Sequence, residues 1–190
     1  MAGDGERRLM SNVAIVGNTG WGRTIATLLC RNLVDVRLVT RTAEEAALLR
    51  GGGAEYRVVH QPAVALTDAE YVVWAVPSQT MRDNVSDLRD ALLPHQCHVS
   101  VAKGLEVSSG KRMTEVIQDV LAPVGLRGAC ALSGPNLAEE ISKGLPAAAV
   151  VASSNATLTH EVLALFRSPR FVTVASDDVI GVELAGALKN

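Results

Sequence analysis

The chain has 190 residues, of which 48% are hydrophobic and 20% are charged, values typical of one globular domain with a buried core and not of a disordered chain. Its 18 basic and 20 acidic side chains leave a formal net charge of −2, so no overall positive field favours a nucleic-acid partner or an anionic membrane. No apolar run approaches the roughly 18 residues of a membrane span, and residues 1–12 lack the form of a secretory signal, so we expect a cytoplasmic protein without a membrane span.

Short β-branched runs alternate with helix-forming segments along the chain. The pattern predicts strands at 13–16, 34–39, 57–60, 70–76, 98–102, 129–132 and 171–174, and it marks one further segment of the alternation at 147–152. It predicts helices at 24–29, 43–50, 80–93, 112–122, 136–143, 157–166 and from 178 to the end. Repeated β and α units of this kind predict an α/β fold, namely a doubly wound, Rossmann-type and mostly parallel sheet.

The segment between the first strand and the first helix reads Gly17-Asn18-Thr19-Gly20-Trp21-Gly22. Glycines in this position let backbone amides approach a dinucleotide's pyrophosphate at the helix N-terminus. The spacing is G-x-x-G-x-G instead of G-x-G-x-x-G, so Thr19 stands where the closest approach is expected. We expect its Cβ to limit cofactor binding and Thr19→Gly to tighten it; a hydroxyl contact with a phosphate is the alternative. Trp21 either packs in the core or lines the nicotinamide side of the turn.

The second strand ends at Thr40-Arg41, where an NAD-binding protein usually carries an acidic residue for the ribose hydroxyl. With no carboxylate there, NADP is permitted, and the Arg41 guanidinium is suited to a 2′-phosphate. The alternative is an ordinary solvated arginine.

Ligands of open α/β sheets bind beyond the carboxyl ends of the strands. That rule selects Pro77 after the fourth strand, Lys103 after the fifth, and Gly134 and Asn136 after the sixth. Lys103 is the one cation among the residues selected after these three strands, and it is suited to a phosphate or hydroxyl oxygen unless it is a surface lysine. Asn136 suits a helix N-cap, which is the commoner role, as well as a ligand contact.

The cysteines and histidines indicate no metal centre and no disulfide framework. The three cysteines are odd in number and far apart, which favours a reducing compartment. The four histidines have no metal-ligand spacing and are interpreted as structural or solvated.

Five motifs occur in order between about residue 13 and the end of the chain. They are Gly20-Trp21-Gly22 in the first turn, residues 75–79 (AVPSQ), 102–106 (AKGLE), 132–140 (LSGPNLAEE) and 179–190 (VIGVELAGALKN). Together they resemble the NAD(P)-dependent glycerol-3-phosphate dehydrogenase family, in its N-terminal cofactor-binding domain.

The resemblance implies reversible reduction of dihydroxyacetone phosphate to sn-glycerol 3-phosphate, an oxidoreductase reaction of glycerophospholipid metabolism at a CH–OH group, with NADP or NAD as cofactor. It implies that Lys189 exchanges the proton of the substrate's C2 oxygen and that Lys103, Gly134 and Asn136 hold the substrate. A lysine suits that exchange where partial burial lowers its pKa. The cofactor contacts that we expect are Gly17, Thr19, Gly20, Trp21, Gly22, Arg41, Pro77, Lys103 and Ala138.

The family's chains continue with a helical C-terminal domain that closes over the substrate, whereas this sequence stops at Asn190. We therefore expect a flexible tail at 1–12, a Rossmann-type domain at 13–177, and at 178–190 the start of a truncated helical substrate domain. The last helix is apolar nearly all round, a pattern typical of a buried helix. We expect its outer face to be exposed in a monomer, where it either drives self-association, for example as a homodimer, or frays.

On this division we expect the chain to bind cofactor with little or no turnover of its own. Three alternatives stay open. The chain is a non-catalytic dinucleotide-binding module, a subunit completed by another chain, or part of a β-hydroxyacid or 6-phosphogluconate type of dehydrogenase, which also joins a Rossmann domain to a helical one and uses a lysine.

Overall fold

The computed structural model describes residues 11–189, which form one eight-stranded sheet with helices on both faces. The strands are β1 (Asn12–Val16), β2 (Asp35–Val39), β3 (Arg57–Val59), β4 (Tyr71–Trp74), β5 (Cys97–Ser100), β6 (Gly128–Ser133), β7 (Ala147–Ala152) and β8 (Phe171–Ser176). The helices are α1 (Gly20–Arg31), α2 (Ala43–Gly51), α3 (Pro62–Leu66), α4 (Met81–Leu88), α5 (Met113–Leu121), α6 (Ala138–Ser142), α7 (Ala156–Phe166) and α8 (Val179–Leu188).

The strand order is β3-β2-β1-β4-β5-β6-β7-β8. Neighbouring strands are parallel except for β6 and β7, which are antiparallel. Because β1 pairs with β2 on one side and with β4 on the other, the direction of winding reverses there, and such a switch point is where ligands of these sheets bind. The predicted doubly wound, mostly parallel α/β fold is confirmed.

Alternate residues of the central strands face two apolar layers. In β1, Val13 and Ile15 face the layer that contains residues of α1 and α7, whereas Ala14 and Val16 face the layer that contains residues of α4 and α5. Every residue of β4 is buried. This burial explains the continuous apolar sequence of β4, because a parallel strand that is covered on both faces has no solvent-exposed side for polar residues.

Several boundaries differ from the predicted ones. α1 begins at Gly20, inside the glycine-rich turn, because Thr19 caps it. The helix predicted at 80–93 is α-helical only over Met81–Leu88, with a turn of 3-10 helix at each end. α3 was missed, since five residues are too few to display a helical period. β1 already includes Asn12, so the predicted tail at 1–12 is wrong at that residue, and residues 1–10 lie outside the described range.

The last helix extends to Leu188, and its outer face is exposed as expected at Ile180, Leu184 and Leu188. Self-association and fraying, the two predicted consequences of that exposure, stay predictions. All three cysteines are free thiols. Within residues 11–189, no helix has the length and apolar character needed to cross a membrane.

Candidate functional site

Three neighbouring cavities open beyond the carboxyl ends of the strands. The β2 cavity, of about 440 Å³, lies on the β2 side of the first turn and is lined by Gly17, Asn18, Thr19, Arg41, Glu45, His60, Pro77, Asn84 and Asp87 among others. The β5 cavity, of about 350 Å³, includes Thr19, Trp21, Pro77, Ser78, Lys103, Asn136 and Ala138. The α8 cavity, of about 550 Å³, includes Ser133, Gly134, Asp178, Gly186 and Lys189. Thr19 and Pro77 line both the β2 cavity and the β5 cavity, so these two cavities are adjacent.

Two glycines of the first turn are required by close packing. Gly17 has a positive φ of 118°, and a Cβ there would lie 2.5 Å from the carbonyl oxygen of Ala75. A Cβ on Gly22 would lie 2.1 Å from the carbonyl oxygen of Gly17, whereas one on Gly20 would meet nothing within 4 Å. The first turn is thus folded tightly against the end of β4, with its open side toward the cavities.

Thr19 is the N-cap of α1. Its Oγ1 accepts a hydrogen bond from the Gly22 N–H (2.9 Å) and donates one to the Ala75 carbonyl (3.1 Å). The amides of Gly20 and Trp21, which precede the first intrahelical bond from Arg23 to Thr19 (3.0 Å), have no acceptor within the helix. Whether Thr19→Gly tightens cofactor binding stays a prediction, but the substitution would also remove the hydroxyl that joins α1 to β4.

The β2 cavity contains both a guanidinium and a carboxylate. Arg41 is exposed in it as predicted, but Glu45 also lines it, and its carboxylate accepts a hydrogen bond from the Arg41 backbone N–H (3.1 Å). The sequence prediction considered only the strand end, Thr40-Arg41, which carries no carboxylate; it did not foresee that Glu45 brings one into the same cavity. His60, interpreted as structural or solvated, lines the same cavity. The available signal was its place directly after β3, at the carboxyl end of a strand.

Lys103 lies in the β5 cavity, and its Nζ donates a hydrogen bond to the carbonyl of Gly134 (2.8 Å). Burial lowers the pKa of Lys103, and the positive charge of Lys189 lowers it further. An ammonium has three N–H donors, so Lys103 keeps donors for a ligand oxygen. The interpretation of Lys103 as a free surface lysine is thus excluded.

Asn136 has an amide without a partner. The residue is 8% exposed, and neither its Oδ1 nor its Nδ2 makes a hydrogen bond to any other described residue. The expectation that it caps a helix is wrong, because α6 begins two residues later and Leu137 occupies the N-cap position. Buried amides are normally paired, so this one, lining the β5 cavity, is free to recognise a ligand.

Trp21 packs against the core, as one interpretation of its sequence position predicts, while its place beside the nicotinamide stays a prediction. It packs against the apolar layer that contains α1 and also lines the β5 cavity. Its indole Nε1 is buried and has no hydrogen-bond acceptor among the described residues. The β5 cavity therefore holds two buried polar groups, on Trp21 and Asn136, that have no partner among residues 11–189.

Lys189 lies outside the β5 cavity, at the edge of the α8 cavity with Gly134. It is exposed at the end of α8, so the partial burial that we expected for it is found at Lys103 instead. Its positive charge lowers the pKa of Lys103, and α8 passes close to that side chain, since a Cβ on Gly186 would lie 3.7 Å from Lys103 Cγ. Gly186, which sequence analysis did not select, allows this approach, since a Cβ there would lie 2.6 Å from Ser133 Oγ.

The loop that follows Lys103 is held by polar contacts that were also missed. The Gln79 amide donates to the Leu105 carbonyl (2.7 Å) and accepts from the Val107 N–H (3.1 Å). Arg82 forms two hydrogen bonds to Glu106, at 2.8 and 2.9 Å, and these hydrogen bonds lower the pKa of that carboxyl. A sequence offers no signal for such pairs, which lie 24 or more positions apart.

All of the predicted site residues except Gly20 and Gly22 fall into three groups. Thr19, Trp21, Pro77, Lys103, Asn136 and Ala138 meet in the β5 cavity, Arg41 and Gly17 lie in the β2 cavity, and Gly134 and Lys189 lie in the α8 cavity. Gly20 lines a separate depression beside Arg23 and Ala138, and Gly22 is buried beneath the turn.

Comparison with known proteins relates this arrangement to one group of enzymes. Residues 12–159 match the family described as the N-terminus of NAD-dependent glycerol-3-phosphate dehydrogenase. Curated relatives named glycerol-3-phosphate dehydrogenase (NAD(P)+) include one from Dehalococcoides mccartyi, 39% identical over 95% of this chain and 54% of its own length. Another, from Corynebacterium jeikeium, is 38% identical over 95% of this chain and 58% of its own length.

Solved structures share the fold. The glycerol-3-phosphate dehydrogenase of Coxiella burnetii matches with a TM-score of 0.85 at 24% identity, over 93% of this chain and 57% of its own. That of Plasmodium falciparum also matches with 0.85, at 20% identity, over 94% of this chain and 56% of its own. The chain thus spans about half the length of the curated relatives and solved proteins that it matches.

Proposed function

The chain belongs to the NAD-dependent glycerol-3-phosphate dehydrogenase family, and from that membership we propose that it is the cofactor-binding part of an enzyme that reversibly reduces dihydroxyacetone phosphate to sn-glycerol 3-phosphate. The cofactor is NAD or NADP. The phosphorylated substrate is a small molecule, and the reaction takes place in the cytoplasm.

The first turn and the β2 cavity supply what a dinucleotide needs. Gly17 and Gly22 allow the turn to pack closely against β4. The amides of Gly20 and Trp21, which have no acceptor within the helix, lie at the N-terminus of α1, where the helix dipole favours a pyrophosphate. Arg41 and His60 lie in the β2 cavity, on the side of the turn away from Lys103. We assign the ribose end of the cofactor to that cavity, with Pro77 and Ala138 as further contacts toward the β5 cavity.

The β5 cavity suits the nicotinamide end of the cofactor. Its walls combine apolar surface from Ala75, Val76 and Val101 with the unpaired groups of Trp21 and Asn136. A nicotinamide has an apolar ring and a polar carboxamide, and buried unpaired polar groups are stabilised when a ligand pairs with them. This fit supports binding of the nicotinamide and the substrate in the same cavity.

The division of labour among the residues follows from their contacts. When bound, NAD(P)H supplies the hydride that reduces the C2 carbonyl of the substrate. Lys103, fixed by its bond to the Gly134 carbonyl, holds an oxygen of the substrate through its remaining N–H groups. Asn136 orients the substrate and the cofactor by its amide. Lys189 exchanges the proton with the C2 oxygen, a role that rests on the match of residues 179–190 to the family motif.

A division of the chain at 177/178, with α8 as the start of a second and helical unit, stays a prediction, as does a homodimer. The runner-up functions are a dinucleotide-binding module without catalysis and a domain of the β-hydroxyacid type of dehydrogenase. Neither is favoured by a specific observation over the family membership.

The observation that carries the proposal is the buried, unpaired amide of Asn136. If the amide is paired only when a ligand is bound, then Asn136→Leu will stabilise the free protein, because an unpaired polar group is replaced by an apolar one of similar size. We expect a gain of about 1 kcal/mol in the free energy of unfolding together with an affinity for reduced cofactor that falls about three- to tenfold. Calorimetry and fluorescence titration measure the two effects.

Ser100→Ala is the matched control. Ser100 Oγ is also buried and unpaired among the described residues, but it does not line any of the three cavities. It should give a similar gain in stability and leave cofactor affinity unchanged. Equal affinities for Asn136→Leu and Ser100→Ala would contradict the assignment of Asn136.

The choice between the two cofactors depends on Arg41. One arginine–phosphate pair is worth roughly 1.5 to 3 kcal/mol, so Arg41→Ala should weaken NADPH binding about tenfold or more and leave NADH binding nearly unchanged. Arg89→Ala, which removes a surface arginine paired with Asp90, is the control. An unchanged NADPH affinity in Arg41→Ala removes this role from Arg41 but leaves the proposed reaction intact.

A further inference from the structure

The helix that precedes Lys189 does not bury its large apolar side chains. α8 contains Ile180, Leu184 and Leu188, all of them exposed, and the helix residues that are buried are Glu183 and Gly186. A surface helix normally buries its apolar stripe. α8 instead turns an acidic side chain and a glycine toward the domain.

Both oxygens of the Glu183 carboxylate accept hydrogen bonds from the start of α5. Its Oε1 accepts a hydrogen bond from the Thr114 N–H (2.9 Å), and its Oε2 accepts from the Thr114 hydroxyl (2.5 Å) and from Arg112 Nη1 (2.8 Å). Glu183 is 7% exposed. A buried carboxylate with three donors, one of them charged, is a strong and directional attachment.

Gly186 is the second attachment and lies three residues farther along α8. A Cβ at this position would lie 2.6 Å from Ser133 Oγ and 3.7 Å from Lys103 Cγ, so the backbone of α8 passes directly over the strand end that bears the candidate site. Residues three apart occupy neighbouring turns of a helix. The same spacing from Gly186 leads to Lys189, which follows the last helical residue.

From these contacts we propose that Glu183 is a positioning residue: by binding Arg112 and Thr114 it fixes α8 across the end of β6 and so holds Lys189 beside Lys103. This inference rests on the proposed function, in which both lysines act on one substrate. It gives a role to Glu183, whose hydrogen bonds go to Arg112 and Thr114 and to neither lysine. A group held within a few tenths of an ångström reacts far faster than one on a free helix end.

Arg112 offers an internal control, because its guanidinium also pairs with a second carboxylate. Arg112 Nη2 lies 2.9 Å from Glu115 Oε1, and the Arg112 N–H donates to Glu115 Oε2 (2.9 Å). Glu115 belongs to α5 and stands one turn from Arg112, so it stabilises α5 without reaching α8. Glu115→Gln therefore removes the charge of one carboxylate partner of Arg112 and leaves the contact between Arg112 and Glu183 in place.

The test uses the lysine side chains as reporters. The chain has four lysines, Lys103, Lys111, Lys143 and Lys189, so NMR of the protein labelled with [13C]lysine gives four side-chain signals that can be titrated separately. In Glu183→Ala and, to a smaller extent, in the isosteric Glu183→Gln, we expect the pKa of Lys103 to rise, because Lys189 moves away. We expect no change in Glu115→Gln.

A double-mutant comparison separates positioning from general loosening. Lys189→Met alone should raise the pKa of Lys103, since it removes the neighbouring charge. In the Lys189→Met background, Glu183→Ala should then have no further effect on Lys103 if Glu183 acts through Lys189. Amide exchange over residues 182–188 should accelerate at least tenfold in Glu183→Ala and stay unchanged in Glu115→Gln.

Two results would overturn the proposal. One is an unchanged Lys103 titration in both Glu183 variants while the fold is intact. The other is a rise in Glu183→Ala that persists undiminished in the Lys189→Met background, which would mean that Glu183 only supports the fold. Titration of NADPH into the same samples keeps the proposed function separate: if wild type binds no cofactor, the proposed function fails whatever the lysines report.

Discussion

The two sides of the candidate site are built by opposite means. On the cofactor side, the first turn is packed against β4 by backbone contacts of Gly17 and Gly22, and the strands beneath it are buried on both faces. On the α8 side, a helix with exposed apolar residues is held by the carboxylate of Glu183 and the close approach of Gly186. The cofactor side depends on shape, and the α8 side depends on a few charged hydrogen bonds.

The difference has a physical reason. A pyrophosphate is recognised by main-chain amides, so its site needs a rigid and sterically exact backbone. A side chain that exchanges a proton needs orientation, which directional hydrogen bonds provide. Substitutions that add one methyl group should damage the first region, whereas the second should respond to the loss of single polar groups.

The largest expected effect comes from acid and acts on the sheet beneath the cofactor side. His98 in β5 is buried and accepts a hydrogen bond at Nδ1 from the Trp74 indole N–H (3.2 Å), and burial lowers the pKa of His98 from 6.5 to about 4. Between pH 6.5 and 4 only the unfolded chain takes up this proton. Stability is therefore full above 6.5 and falls as the pH drops toward 4, by roughly 3 kcal/mol in total.

Denaturant unfolding from pH 7.5 to 4 measures that loss. His98→Gln retains an acceptor for Trp74 and should flatten this part of the pH profile, while His95→Gln, at an exposed position, should leave it as in wild type. An identical slope in wild type and His98→Gln would show that other groups cause the acid sensitivity.

Gly22→Ala should destabilise the cofactor side next most strongly. Its Cβ would lie 2.1 Å from the Gly17 carbonyl oxygen, so the turn must open, at a cost of about 1 to 3 kcal/mol. We expect reduced-cofactor affinity to fall at least tenfold. The matched variant is Gly20→Ala, whose Cβ meets nothing within 4 Å and which should retain wild-type stability. Equal stabilities of the two variants would contradict the steric account of the turn.

Loss of the helix cap has a smaller effect. Thr19→Ala removes the bond to the Gly22 N–H and the bond to Ala75 and should cost about 1 kcal/mol of unfolding free energy. Thr19→Ser keeps the hydroxyl and should stay close to wild type. Thermal unfolding of the pair decides the matter, and a Thr19→Ala protein as stable as Thr19→Ser would show that the cap is unimportant.

Sequence periodicity predicted the sheet and nearly every helix, because alternation of buried strands and helices leaves a local pattern. The strand-end rule likewise located Lys103 and Asn136. Contacts between distant positions left no such pattern: nothing near Glu183 in the sequence indicates Thr114, and nothing near Thr19 indicates Ala75. Asn136 was expected to cap a helix because asparagine is preferred at helix N-caps. Its unpaired amide becomes evident only from the residues that surround it in the folded structure.

Titration of NADPH and NADH into the 15N-labelled chain checks the claim that a dinucleotide binds across the switch point of the sheet. We expect saturable shifts at the amides of residues 17–22, at Arg41, and at the side-chain amide of Asn136. No saturable binding at millimolar cofactor would contradict the claim. So would shifts confined to the cavity at the opposite end of α1, lined by Leu28, Ile141 and Arg170.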